Sequence, residues 1–178
     1  MAWRDAAISH VKNGIYGEMF VAAMLAEAAV EDDIKTVIKA GLGEIPESCR
    51  LSEAVNEVLS WYEDGVPQEE AFARIHEKWD EHTEHGWCHT ISNAMIVTAS
   101  LLWGGGDYGR SVCMAVETGF DTDCNGATVG SVLGMAYGSA AVGAEWRAPL
   151  HGRLETKIQG VGTVEIASLI ERTLKHIG

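Results

Sequence analysis

Gly119-Phe120-Asp121-Thr122-Asp123-Cys124-Asn125-Gly126-Ala127-Thr128-Val129-Gly130-Ser131-Val132-Leu133-Gly134-Met135-Ala136-Tyr137-Gly138 is the most informative stretch of the chain. Gly126, Gly130, Gly134 and Gly138 recur every four residues, with Ala127, Ser131 and Ala136 between them. On a helix that spacing lays the glycines along one slowly drifting stripe. Each costs about 0.5–1 kcal/mol relative to Ala, so the set costs roughly 2–4 kcal/mol in propensity. Such a helix forms where the bare stripe lets another backbone or a ligand come unusually close. Tight helix–helix packing is the simpler reading, and it puts this helix at the centre of a bundle.

Two carboxylates, Asp121 and Asp123, stand where that helix begins. As caps they would satisfy unpaired N–H groups and sit well in the helix dipole. As ligands, hard oxygen donors on a short turn can hold Mg²⁺ or Mn²⁺. Both uses remain open at this level, and the pair cannot complete an octahedral site alone.

Outward from this stretch the pattern stays helical. In 51–64 the apolar residues Leu51, Ala54, Val55, Val58, Leu59 and Tyr62 share one face, and Gly65 ends the pattern. Pro67 suits the first turn of the next helix, striped by Ala71, Phe72, Ile75 and Trp79. Residues 16–30 and 87–103 are apolar nearly all round and read as buried helices, and 163–177 reads as an amphipathic closing helix. Hairpin signals are missing, since Asp64-Gly65, Asn13-Gly14 and Asn125-Gly126 all flank helical patterns. The predicted class is all-α, a globular multi-helix bundle formed by one domain over 1–178.

Composition narrows the function. The 178 residues hold 26 acidic against 13 basic groups, a net charge of −13, which argues against nucleic acid or an anionic membrane as partner. With 47% hydrophobic residues the chain can bury a core. Cysteines 49, 88, 113 and 124 form no CxxC pair, and Met1–Asp5 opens no basic-then-apolar leader. A reduced, cytoplasmic protein is expected. The charge-free stretches 86–106 and 124–144 carry too many polar or small residues for membrane spans.

The motif Gly119–Ser131 resembles the C-terminal metal motif of the ADP-ribosylglycohydrolase family. Asp5-Ala6-Ala7-Ile8-Ser9-His10-Val11-Lys12-Asn13-Gly14-Ile15-Tyr16-Gly17-Glu18 is similar to the family's Ser/Thr-His segment. Gly86–Ala94, Leu101–Tyr108 and Trp146-Arg147-Ala148-Pro149-Leu150 also resemble family stretches, in the family's order along nearly the whole chain. The resemblance implies an all-helical fold with two metal ions, Mg²⁺ or Mn²⁺, and hydrolysis of the glycosidic bond at the terminal ribose of ADP-ribose. By position it makes Asp121 and Asp123 metal ligands with catalytic roles. Cys124 stands where many members place a Thr or Ser ligand, although a thiol suits these hard cations poorly. It also places His10 against bound ADP-ribose, as a substrate contact rather than a ligand to metal. The expected partner is ADP-ribose or an ADP-ribosylated protein or small molecule.

The family's N-terminal pattern, with its Gly-Asp-Ala-x-Gly-like opening, further metal ligands and glycine-rich phosphate segment, has no counterpart here. Glu31-Asp32-Asp33 lacks the preceding hydroxyl residue and reads as a solvated helix end. The chain therefore reads as a C-terminal portion, about half of a catalytic domain. On that reading it turns over no substrate alone, and self-association or a second chain supplies the rest.

Three other readings compete. His82, His85, Cys88 and His89 have ligand types and spacing that could suit Zn²⁺. Cys124 or Cys113 could serve as a nucleophile, although Asp121 and Asp123 oppose thiolate formation at 124. The fold also occurs in structural proteins such as jellyfish lens crystallins, so a non-catalytic ADP-ribose-binding or interaction module is the alternative function.

Overall fold

The computed structural model describes residues 1–176. Its contacts cluster into two compact units, Met1–Ala141 and Val142–Gly178, where the sequence reads as one domain. Helices dominate, as the periodicity predicts.

The first unit contains α1 (Ala2–Ala6), α2 (Asn13–Ala28), α3 (Ile34–Gly43), α4 (Arg50–Glu63), α5 (Gln68–Lys78), α6 (Thr90–Trp103), α7 (Tyr108–Glu117) and α8 (Thr122–Tyr137). At its centre runs α6, which packs against α2, α3, α4, α5, α7 and α8. Its sequence is apolar on all sides, and it is buried from Met95 through Leu102 as such a helix must be. Trp87 lies outside it, exposed on a turn, and the helix starts at Thr90 under the cap of His89. Trp103 closes it by donating its indole N–H to the Val66 carbonyl at 3.0 Å.

Two expectations for this unit need correction. α2 is not buried all round: Gly17, Phe20, Met24 and Ala28 face the core, while Ala22 and Ala26 are exposed. Alanines on the outer face erase the polar stripe that marks a surface helix, and their exposure costs little. Likewise α8 is not central, because Asp123, Cys124, Ala127, Ser131 and Met135 are exposed along it. Only the first two seam glycines serve close packing. A Cβ at Gly126 would lie 3.0 Å from Val116 Cγ2, and one at Gly130 would lie 2.9 Å from Tyr108 Oη. Gly134 faces open space, and Gly138 ends the helix at φ 73°.

The second unit contains α9 (Ala144–Arg147), a 3-10 turn (Ala148–Leu150), strands β1 (Arg153–Glu155) and β2 (Thr163–Glu165), and α10 (Ile166–Leu174). The strands pair antiparallel, with Leu154 opposite Val164. The predicted helix over 163–177 thus starts three residues late, with Thr163-Val164-Glu165 taken by the hairpin; Ile177 lies outside the described residues. Gly160 and Gly162, both at positive φ, turn the chain back between the strands over a loop too long to give a two-residue hairpin signal. No described residue of this unit is buried. Among the described residues no helix is long and apolar enough to cross a membrane.

Candidate metal and ligand site

The site is built on the turn between α7 and α8. Gly119 and Phe120 both take left-handed backbone, at φ 87° and 59°. Glycine does so at little cost, and Phe120 is held there by its surroundings. Its side chain is buried and packs tilted against the His76 ring at 5.0 Å between centroids, while its N–H donates to Glu81 Oε2 at 2.7 Å. His76 Nε2 lies 3.0 Å from the Thr118 carbonyl. Held from α5 and the loop beyond it, the turn delivers Asp121 to the start of α8.

Asn93, on α6, fixes the other side. Its Oδ1 accepts from the Asp121 N–H at 3.2 Å and from Asn125 Nδ2 at 2.7 Å. Its Nδ2 donates to the Trp87 and His89 carbonyls, each at 3.0 Å. One side chain therefore joins the first turn of α6 to the first turn of α8.

Asp33 and Asp107 cap their helices through their carboxylates, accepting from Thr36 and Arg110 N–H groups. Asp121 occupies the same cap position on α8 and makes no such bond. Its carboxylate is left for other work. Asp121, Asp123 and Cys124 bring one ligand atom each within 4.8 Å of one another. Burial, then a hydrogen bond with Asp121 and the charges of both aspartates, pushes the Cys124 thiol above its ordinary range. That favours the protonated thiol, a poor ligand for Mg²⁺ or Mn²⁺ and a weak nucleophile. The donor chemistry fits one hard divalent cation on two carboxylates, with water completing its shell.

Asp121, Cys124 and Asn125 line a pocket of about 390 Å³ walled by Gly17, Glu18, Phe20 and Val21 of α2 and by Asn93, Ala94 and Val97 of α6. Asp123 is exposed beside it and does not line it. His10 lines a second pocket, of about 350 Å³, which shares Gly14, Cys88 and Thr90 with the first. Asp121 and His10 are thus in adjoining hollows of one surface rather than in one cavity. His10 Nδ1 lies 2.7 Å from Ser9 Oγ.

The zinc reading fails on geometry. Residues 79–89 form turns rather than one helix face, and among the described residues only Asp121, Asp123 and Cys124 gather as a ligand group. His89 instead serves as a helix cap. Its Nδ1 accepts from the Ile91 N–H at 3.2 Å, and its ring packs on Trp79 at 4.7 Å. Burial and the nearby Arg50 charge lower its pKa from the ordinary 6.5. A base with a depressed folded value takes up its proton more readily when unfolded. Its contribution is complete above pH 6.5 and is lost as pH falls from there through the lower folded value. His89→Asn keeps a cap acceptor that does not titrate, so its melting temperature will fall less than wild type's between pH 7 and pH 5; equal slopes would refute this.

With this geometry in place, comparison with known proteins decides the family. A family model described as ADP-ribosylglycohydrolase matches residues 1–177. The chain belongs to the ADP-ribosylglycohydrolase family. No curated protein and no solved structure matches it. Membership gives a glycohydrolase-type hydrolase at the family level, in a family that is generally metal-dependent and has ADP-ribosylated substrates. The all-α reading agrees with it.

Sequence reasoning does not single out Asn93, Glu18 or Glu81. Asn93 falls inside a segment resembling the family, but nothing in its spacing shows that it reaches residues 121 and 125. Replacing it by Ala strips Asn125, itself buried, of its side-chain partner and releases Asp121. Asn93→Ala should cost about 1–3 kcal/mol in urea unfolding and weaken Mn²⁺ binding by ~10–100-fold. An unchanged Mn²⁺ titration in the folded variant would count against its positioning role.

Proposed function

We propose that the chain supplies Asp121 and Asp123 to a Mg²⁺ or Mn²⁺ site that hydrolyses the glycosidic bond at the terminal ribose of ADP-ribosylated substrates, self-association or a second chain supplying the other ligands. The observation that carries this reading is the Asp121 carboxylate, at a helix cap yet unused as a cap, lining a pocket with Asp123 beside it. A divalent cation bound there supplies Lewis acidity and a grip on vicinal ribose hydroxyls.

The chain's own residues support the rest of the chemistry. Phe20 and Val21 on one wall and Ala94 and Val97 on the other exclude water, which strengthens the field of Asp121 and Glu18. That field favours the positive charge that develops at the anomeric carbon when a glycosidic bond breaks. Asn93 holds the Asp121 backbone so that the carboxylate need not reorganise. His10, in the adjoining pocket, contacts the part of the ligand beyond the ribose. Cys124 adds no ligand.

ADP-ribose release from an ADP-ribosylated protein, with Mn²⁺, tests the proposal. Release by the wild-type chain that Asp123→Ala abolishes supports the hydrolase reading and overturns the expectation that the chain turns over no substrate alone. ADP-ribose binding by calorimetry with no release favours the non-catalytic module, which a second chain would have to complete. Neither release nor binding overturns both readings. Cytoplasmic residence is part of the same proposal, consistent with four free cysteines.

A further inference from the structure

Asp121 is of a residue type that caps helices and stands at a cap position, yet it does not cap. Its backbone gives the reason. Asp33, Cys49, His89 and Asp107, whose side chains do cap α3, α4, α6 and α7, have ψ between 107° and 152°. Asp121 has ψ 76°, short of that range. From extended backbone a short side chain folds back over the first turn and reaches the N–H three residues on, as Asp33 reaches Thr36 and Asp107 reaches Arg110. For Asp121 that partner would be the Cys124 N–H, but its carboxylate meets the Cys124 thiol instead.

The twist comes from upstream. Gly119 at φ 87° and Phe120 at φ 59° carry the chain into α8 through two left-handed residues, and a non-glycine residue keeps such backbone only when its surroundings hold it. Glu81, in the loop beyond α5, does the holding. Its Oε2 accepts the Phe120 N–H at 2.7 Å, a closer bond than the 3.2 Å one that Asn93 makes with the next N–H, that of Asp121. A carboxylate is also the stronger acceptor. Glu81 is half-buried and forms no salt bridge among the described residues, so no cation draws it off the turn. Gly119 makes room for it, since a Cβ there would lie 2.5 Å from the same Oε2.

We infer that Glu81 is a positioning residue: by holding Phe120 in left-handed backbone it keeps Asp121 out of the cap and leaves the Asp121 carboxylate to a cation. Without Glu81, Asp121 relaxes toward the extended ψ of the other caps, and its carboxylate closes on the Cys124 N–H. Capping and cation binding thus exclude one another at Asp121, and a side chain 39 residues before Phe120 decides between them. The exclusion from the cap needs no metal; the consequence for cation binding rests on the proposed function.

Amide hydrogen exchange, followed by NMR on the metal-free full chain, tests the positioning, and Mn²⁺ affinity from electron paramagnetic resonance tests its consequence. In Glu81→Ala the Phe120 N–H should exchange at least about tenfold faster and the Cys124 N–H about tenfold slower, while Mn²⁺ binds about tenfold more weakly. A merely structural loss would speed exchange at both amides and slow neither. Glu81→Gln, which keeps an acceptor oxygen, should recover most of all three effects. Gly119→Ala, which crowds the same oxygen, should also slow the Cys124 N–H, and Glu84→Gln, an exposed carboxylate of the same loop, should change nothing. A Cys124 N–H that slows in neither Glu81→Ala nor Gly119→Ala overturns the positioning role. Equal effects of Glu81→Ala and Glu81→Gln, or the expected exchange with Mn²⁺ affinity unchanged, overturn it too. If the wild-type chain binds no Mn²⁺ while both amides respond as expected, the metal reading alone fails.

Discussion

Asp121→Asn/Asp123→Asn will bind Mn²⁺ about 100-fold more weakly than the wild-type chain, read from free Mn²⁺ by electron paramagnetic resonance. Hard cations take most of their affinity from ligand charge, and the double change removes both charges while keeping size and shape. Neither carboxylate forms a salt bridge among the described residues, and Asp121 does not cap its helix. Losing them at the N-terminus of α8 gives up about 0.3–1 kcal/mol each of dipole interaction, partly offset by relief of their mutual repulsion. The melting temperature should therefore move little. A large fall in stability with unchanged Mn²⁺ affinity would show that the aspartates serve the helix and not a cation.

Gly104→Ala will cost about 3 kcal/mol, near the upper end for overpacking by a single methyl. Gly104 closes α6 where α7 crosses it, and a Cβ there would lie 1.8 Å from Ser111 Oγ and 2.8 Å from Ser111 Cβ. Ser111 cannot step aside freely: it is fully buried, and its Oγ donates to the Asp107 carbonyl at 2.7 Å. Urea unfolding measures the loss. Gly104→Ala/Ser111→Gly should recover part of it, because the Ser111 atoms are gone while the Ser100 carbonyl oxygen, 2.6 Å from the added Cβ, remains. If the double variant is as unstable as the sum of its parts, the contact is not the cause.

The contrast between these two sites shows what a sequence carries. Asp121 and Asp123 are visible because they stand two residues apart in one short turn, where a family pattern can hold them by local spacing alone. Asn93 is 28 residues from Asp121 and joins it only because α6 and α8 pack side by side. Gly104 is hidden for the same reason, since its neighbour Ser111 is defined by the corner between two helices. The helices themselves are legible wherever a polar face survives, as in α4 and α5. Where small residues occupy the outer face, as at Ala22, Ala26, Ala127 and Ser131, apolar character no longer reports burial, and α2 and α8 read as more central than they are. The hairpin leaves no clear pattern because its turn is long and its strands are three residues each.

The double role of Asn93 also ties the site to the slowest motions of the fold. Its amide nitrogen is bonded to the carbonyls of Trp87, on the turn before α6, and of the cap His89, and its oxygen to Asp121 and Asn125. Loosening Asp121 therefore means fraying the first turn of the helix on which six others pack. In hydrogen exchange the amides of Asp121 and of early α6 should open together, at a rate set by that helix rather than by the exposed turn around them. A ligand bound at Asp121 would then slow exchange deep inside α6, so occupancy can be read from protection at the core.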